Sequence, residues 1–248
     1  MHPILFQIGD FKIYSYGVMV ALGFLAAACL TASEAKRKGM KPEDIFDICL
    51  YAMLFGIIGA RALHVILEIN YYYKYPLEAF MINHGGLAFQ GGLIAGISAA
   101  WFVIIKKRLP LLKTADMIVP YIALAQSIGR IGCFLNGCCY GVPSDSFPAV
   151  IFPGEDMSVH PVQIYLSLTF LALFVILKKV YEKNTVDGVV FVLYLAGFSL
   201  ISFFMDFLRG DLAVVFLNLK VSQIISLVIL LVSLVMLVFL KWKTIHSR

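Results

Sequence analysis

Seven long apolar stretches dominate this chain and leave it few folds to choose from. They are Tyr14–Ala32, Ile45–Ile69, Gly85–Ile105, Asp116–Phe134, Val162–Tyr181, Gly188–Leu208 and Val221–Leu240. Most approach or exceed the roughly 18–20 residues that a helix needs to cross the hydrocarbon of a bilayer. In that medium every backbone N–H and C=O must find its partner inside the protein, which leaves helices or closed barrels. A barrel reads as alternating ten-residue segments, and these stretches do not alternate. The expected fold class is therefore an all-α integral membrane protein, a bundle of about seven transmembrane helices. It forms a single transmembrane domain over residues 1–248, with one long loop at about 135–161.

Composition agrees. Hydrophobic residues make up 61% of the chain and charged ones only 14%, far from the soluble average of about 45–50% and about 25%. A soluble globular domain and a disordered chain are both excluded. The net charge of +5 is modest, and the basic residues fall in short runs between apolar stretches, so no nucleic acid partner is expected. The runs also orient the chain. Lys36, Arg37, Lys38 and Lys41 follow the first stretch; Lys106, Lys107, Arg108 and Lys113 follow the third. Lys178, Lys179 and Lys183 follow the fifth, and Lys241, Lys243 and Arg248 end the chain. The opposite loops hold only Lys12, Lys74, Arg209 and Lys220. By the positive-inside rule the rich side is cytoplasmic. That puts the N-terminus outside, the C-terminus in the cytoplasm and the loop Leu135–Pro161 on the outer face. Met1–Lys12 is not expected to be a cleaved leader, having no basic region and no small-residue cleavage pattern after the first stretch. Ser144–Ser158, with Pro148, Pro153 and Gly154, reads as an ordered loop with a short strand pair at Phe147–Phe152.

Two arginines carry the most information. Arg61 lies inside the second stretch and Arg130 near the outer end of the fourth. A cation near the bilayer centre costs about 2.5–3.5 kcal/mol on insertion scales, so it faces the bundle interior or a wet cavity. Arg61 shares a helical face with His64 and Glu68. Two readings follow: Glu68 neutralises it, or it serves an anionic ligand. Arg130 has no acid within two turns of its own helix, and a guanidinium fork suits a lipid phosphate better than an ammonium does.

Glycines come next. The third stretch opens Gly85-Gly86-Leu87-Ala88-Phe89-Gln90-Gly91-Gly92, and Gly129, Arg130, Gly132, Asn136, Gly137 and Gly141 alternate along the end of the fourth. Such glycines either let helices approach closely or let a backbone N–H reach a ligand. Cys133, Cys138 and Cys139 have a spacing that matches no common zinc pattern, so no metal site is expected from it. They are read as a possible thiol site, whether as a disulfide or as free thiols. Pro161 is a helix-start signal, with His160 before it as a capping or site residue. Tyr14 and Tyr16 open the first stretch, and Tyr71, Tyr72, Tyr73 and Tyr75 fit an interfacial aromatic belt.

Taken in order, these pieces resemble the prolipoprotein diacylglyceryl transferase family over nearly the whole chain. The matching pieces are Ser15-Tyr16-Gly17, Arg61 after Gly59-Ala60, and the Gly85–Gly92 segment. They continue with Gly129-Arg130-Ile131-Gly132-Cys133-Phe134-Leu135-Asn136-Gly137 and Gly141. His160-Pro161-Val162-Gln163-Ile164-Tyr165 and Asp206-Phe207-Leu208-Arg209 complete the set. The resemblance implies a multi-pass protein of the bacterial cytoplasmic (inner) membrane, a transferase of lipoprotein biogenesis. It would move the diacylglyceryl group of phosphatidylglycerol onto a cysteine thiol in a prolipoprotein signal peptide and release glycerol phosphate. No cofactor is implied; the partners are phosphatidylglycerol, the prolipoprotein signal peptide and membrane lipid. On this reading Arg130, Arg61 and Tyr16 are catalytic. Asn136, Gly137, Gly141, Gln90, Gly91, Gly92, His160 and Arg209 bind substrate.

The chain also departs from the family pattern. Gln90 stands where many members have His, Cys133 and Cys138 where they have Asn and Glu, and Leu166 where they have an acid. Phe198 and Ser202 stand where Tyr and Arg are frequent. An amide is no base at neutral pH, which leaves His84, six residues before Gln90, as a substitute. Rival readings are a same-fold lipid transferase with another acceptor, a non-catalytic lipid- or peptide-binding membrane protein, and a small transporter. Against the last, no pseudo-symmetric repeat is visible.

Overall fold

The computed structural model describes the chain apart from residues 1, 10, 82–84, 154–155, 184–185, 211–213, 217 and 247–248. His84, Gly154 and Arg248 thus lie outside the described residues. The described chain forms seven helices long and apolar enough to cross a membrane, each overlapping one of the expected stretches. It falls into two compact units, residues 31–114 and residues 1–30 with 115–248.

The unit of residues 31–114 is built on two long helices, α2 (Pro42–Leu67) and α4 (Phe89–Lys106). Between them come a short helix α3 (Ile69–Lys74) and a 3-10 turn at Pro76–Phe80. Helix α2 starts where it does because Pro42 supplies a ready helical φ, and Glu43 and Asp44 complement the positive end of the dipole. Helix α4 begins at Phe89 rather than at Gly85. Gly85 and Gly86 have φ of 82° and 76°, a left-handed conformation no helix accepts and few L side chains tolerate. The two long helices meet backbone to backbone. A Cβ on Gly91 would lie 2.3 Å from the Gly59 carbonyl oxygen, and one on Gly59 would lie 2.3 Å from the Ala95 Cβ. Small residues permit that approach, and in lipid packing contacts must supply much of what holds helices together. At one end of the pair Lys107 bridges the carboxylates of Asp44 and Asp47, each at 2.6 Å. Hydrogen bonds to Asp44 and then Asp47 hold its ammonium protonated well above the ordinary lysine range.

The other unit opens with an antiparallel hairpin, β1 (Ile4–Ile8) and β2 (Phe11–Tyr14), which leads into α1 (Ser15–Arg37). Ser15 donates its hydroxyl to the His2 carbonyl, and its N–H bonds Pro3 O at 2.9 Å. These contacts tie the hairpin to the helix start. Next come α5 (Leu111–Asn136), α6 (Val162–Lys183), α7 (Val189–Leu208) and α8 (Val221–His246). Asp116 caps α7 from another helix, accepting the N–H groups of Gly188 at 2.6 Å and Phe191 at 2.7 Å. A carboxylate there suits both the orphan donors and the dipole. At the far end of α7 the Lys220 ammonium donates to the carbonyls of Asp206 and Arg209, both at 2.5 Å. Lys220 belongs to a second hairpin, β5 (Val214–Phe216) and β6 (Leu219–Lys220).

The long loop is ordered, as expected, but its strand pair lies elsewhere. Strand β3 (Val150–Ile151) pairs with β4 (Ser158–Val159), instead of both strands falling within Phe147–Phe152. Large side chains such as Ile94, Leu231, Val235 and Val238 face outward, the inverse of a soluble surface and the face expected toward lipid.

Candidate functional site at the end of helix α5

The last two turns of α5 gather most of the expected site residues of their unit. Gly132 allows it: a Cβ there would lie 2.9 Å from the Met19 Cβ and 3.3 Å from the Tyr16 Cα. With glycine in place, the first turn of α1 lies against α5. Tyr16 is thereby brought within electrostatic reach of Arg130, Cys133, Cys138 and Cys139. Arg130 is half-buried. Among the described residues, none places a carboxylate within ion-pair distance of its guanidinium.

Beyond Asn136 the chain reverses. Gly137 has φ of 74° and Cys139 of 62°, and the Cys138 N–H returns to the Cys133 carbonyl at 3.2 Å. All five cysteines are free thiols. The sulfurs of Cys133, Cys138 and Cys139 lie within 4.8 Å of one another. Burial raises the Cys138 thiol above its usual range; a hydrogen bond with Cys133, followed by burial, raises that of Cys139.

Gly141 sits where three segments cross. A Cβ on it would lie 2.7 Å from Val162 Cγ2, 2.8 Å from His160 Cβ and 2.8 Å from Leu208 O. Glycine is demanded here by packing. His160 is stitched to the loop through both backbone groups, accepting from Gly141 at 2.9 Å and donating to Val142 O at 3.2 Å. Its Nδ1 lies 3.2 Å from the Tyr165 hydroxyl. Arg209 lies 3.8 Å from Asp206 and within reach of Cys139. One residue here was quoted in the sequence only as part of the His160–Tyr165 motif, with no role of its own. Gln163 is fully buried and donates its Nε2 to Cys138 O at 2.7 Å. Its signal was a polar amide in the first turn of an otherwise apolar helix.

Arg61 belongs to the other unit, and its surroundings differ from both readings of the sequence. It is 7% exposed, and all five of its N–H groups donate to backbone carbonyls. Nε bonds Ala79 O at 2.9 Å. Nη1 bonds Gly85 O at 2.6 Å and Gly86 O at 2.9 Å. Nη2 bonds Glu78 O at 2.5 Å and Met81 O at 3.0 Å. Tyr72 covers the group, its ring centroid 5.3 Å from the guanidinium carbon, so Tyr72 is a buried lid and not part of an aromatic belt. Glu68 is exposed and lies past the helix end, its N–H closing on His64 O. The left-handed Gly85 and Gly86 turn two successive carbonyls toward one nitrogen. A side chain on Gly86 would meet His64 Nε2 at 2.3 Å. Gln90 stands exposed in the first turn of α4, while Gly91 and Gly92 face α2.

This architecture is that of a multi-pass membrane protein with polar side chains gathered at helix ends, and comparison gives it a family. The model of the prolipoprotein diacylglyceryl transferase family matches residues 3–239. A phosphatidylglycerol–prolipoprotein diacylglyceryl transferase of Clostridium tetani is 35% identical over 239 residues, covering 94% of this chain and 96% of the relative. Proteins of the same name from Finegoldia magna and Staphylococcus aureus are 33% and 34% identical. The first alignment covers 100% of this chain and 99% of the relative, the second 97% and 90%. The chain belongs to the prolipoprotein diacylglyceryl transferase family, and with seven helices able to cross a membrane and these bacterial relatives it is a multi-pass bacterial membrane protein.

Proposed function

We propose that this protein transfers the diacylglyceryl group of phosphatidylglycerol to the cysteine thiol of a prolipoprotein signal peptide. It does so at the outer face of the cytoplasmic membrane, with its N-terminus outside. The thiol sulfur forms a bond to the glyceryl carbon, the carbon–oxygen bond to phosphate breaks, and glycerol phosphate leaves. The phosphate passes from one negative charge in the diester toward two in the monoester, and the thiol proton balances the change. A fixed cation beside it therefore stabilises the transition state more than the bound lipid, which is what accelerates a reaction.

The observation that carries this reading is Arg130: a half-buried guanidinium at the end of an apolar helix, beside Tyr16, with no carboxylate among the described residues. Arg130 clamps the phosphate, Tyr16 and Asn136 orient the headgroup, and Arg209 lies at the rim. Arg61, its donors all engaged, acts by holding residues 78–81 and the Gly85–Gly86 turn in place ahead of Gln90.

The test uses purified protein, phosphatidylglycerol vesicles and a lipobox peptide, with glycerol phosphate release as the readout. Arg130→Ala should lose about 10²–10³-fold in turnover, the scale for removing one preorganised charge-stabilising donor. An Arg130→Ala enzyme that releases glycerol phosphate at the native rate overturns the assignment. Release that occurs without any lipobox peptide points to a different acceptor.

A further inference from the structure

The three thiols at the end of α5 have no part in the transfer proposed above, yet the fold collects them. We propose that Cys133, Cys138 and Cys139 form a three-thiolate site for one thiophilic d10 metal ion, Zn²⁺ or Cu⁺. Their spacing along the chain resembles no common metal motif, but their spacing in space does. The sulfurs lie within 4.8 Å of one another, and Cys138 Sγ and Cys139 Sγ are 3.5 Å apart. Three sulfurs bound to a tetrahedral zinc at 2.3 Å stand about 3.8 Å from each other. Closing the triangle on an ion takes a side-chain adjustment of less than about 1 Å by that geometry.

Two cations stand near the cluster. Arg130 lies within electrostatic reach of Cys133 and Arg209 within reach of Cys139. Three thiolates and a divalent ion sum to one negative charge, which these guanidinium groups offset. Asn136 lies within side-chain reach of Cys138. Gln163 fixes the Cys138 carbonyl at 2.7 Å, the kind of supporting contact that holds a ligand in register. Gln163 Oε1 is buried and has no hydrogen-bond partner among the described residues; a water completing the coordination of zinc is a donor of the kind it lacks. The ligand chemistry selects soft ions over Mg²⁺ or Ca²⁺. Binding forms three metal–sulfur bonds and releases the three S–H protons to solvent, with no change of oxidation state. Affinity therefore rises steeply with pH.

The experiment uses the reduced full chain in detergent under anaerobic conditions, with binding read independently of transfer. Cd²⁺ should raise a thiolate-to-metal charge-transfer band that saturates at one ion per chain, and Zn²⁺ or Cu⁺ should displace it. Iodoacetamide labelling, read peptide by peptide, should be slowed at least about tenfold by metal at Cys133, Cys138 and Cys139. Cys29 and Cys49, the two thiols outside the cluster, serve as unprotected controls. Cys138→Ser should weaken Cd²⁺ binding about 10–100-fold, and Cys29→Ala with Cys49→Ala should leave it unchanged. Should Cys138→Ser fail to fold, protection in the native chain decides. No charge-transfer band, equal labelling of all five thiols, or a disulfide within the trio that persists in reductant overturns the proposal.

Discussion

Replacing Arg61 by Lys separates a structural cation from a catalytic one. Lysine keeps the charge but offers three donors in place of five, so at least two of the five carbonyls now facing the guanidinium go unpaired. Hydrogen bonds to a charged group contribute about 1.5–3 kcal/mol each, so losing two costs about 3–6 kcal/mol before relaxation. At roughly 2–4 °C per kcal/mol for a chain of this size, the unfolding midpoint should fall by about 10 °C. Local opening of residues 76–81 and 85–86 should become easier, speeding amide exchange there by about a hundredfold for a 3 kcal/mol loss. Both are measured on detergent-solubilised protein, by thermal unfolding and by hydrogen exchange with mass spectrometry. If Arg61 served a lipid phosphate as a point charge, Lys would keep most of the transfer and leave exchange unchanged. An Arg61→Lys protein with native midpoint and native protection, but with transfer lost, refutes the scaffold argument.

Two further outcomes follow from the same unit. Gly91→Ala puts a methyl 2.3 Å from the Gly59 carbonyl oxygen, where only backbone can yield. The helix pair should be destabilised by about 1–3 kcal/mol, visible as a lower unfolding midpoint, whereas Gly85→Ala should act through its left-handed φ and leave the helix contact intact. For Lys107 the folded pKa is raised, so its contribution is full below the unfolded value near 10.4. It is lost as pH climbs through the higher folded value. Lys107→Gln should abolish that alkaline loss while leaving stability below pH 10 lower and flat, as unfolding midpoints across pH 8–12 will report.

The seven spans were legible because length and apolarity decide them, and no loop residue enters that argument. The end of α4 nearest Gly85 was misplaced because hydropathy ignores φ: Gly85 and Gly86 look like helix until their carbonyls are needed elsewhere. The hairpin Ile4–Tyr14 was written in its alternating Ile4, Phe6 and Ile8, but seven strong helical signals overshadowed it. Arg61 and Glu68 share a helical face only if the helix continues, and α2 stops at Leu67. Its true partners are main-chain oxygens, which every residue carries and no sequence announces. Gly91, Gly92 and Gly141 were read as packing glycines or as ligand contacts, and each stands at a crossing that a methyl would obstruct. On linear spacing Cys133, Cys138 and Cys139 were read as a thiol site and not as a metal site. The turn made by Gly137 and the left-handed Cys139 converts that spacing into a triangle.

The acceptors around Arg61 come 17 to 25 residues after it in the chain. When Arg61 first leaves the ribosome, these acceptors are still inside the exit tunnel and cannot fold back onto it. A nascent helix carrying this guanidinium is a poor candidate to partition into lipid alone. Its guanidinium is satisfied only once the carbonyls of residues 78, 79, 81, 85 and 86 have closed around it, so the settling of this segment in lipid depends on the loop that follows it.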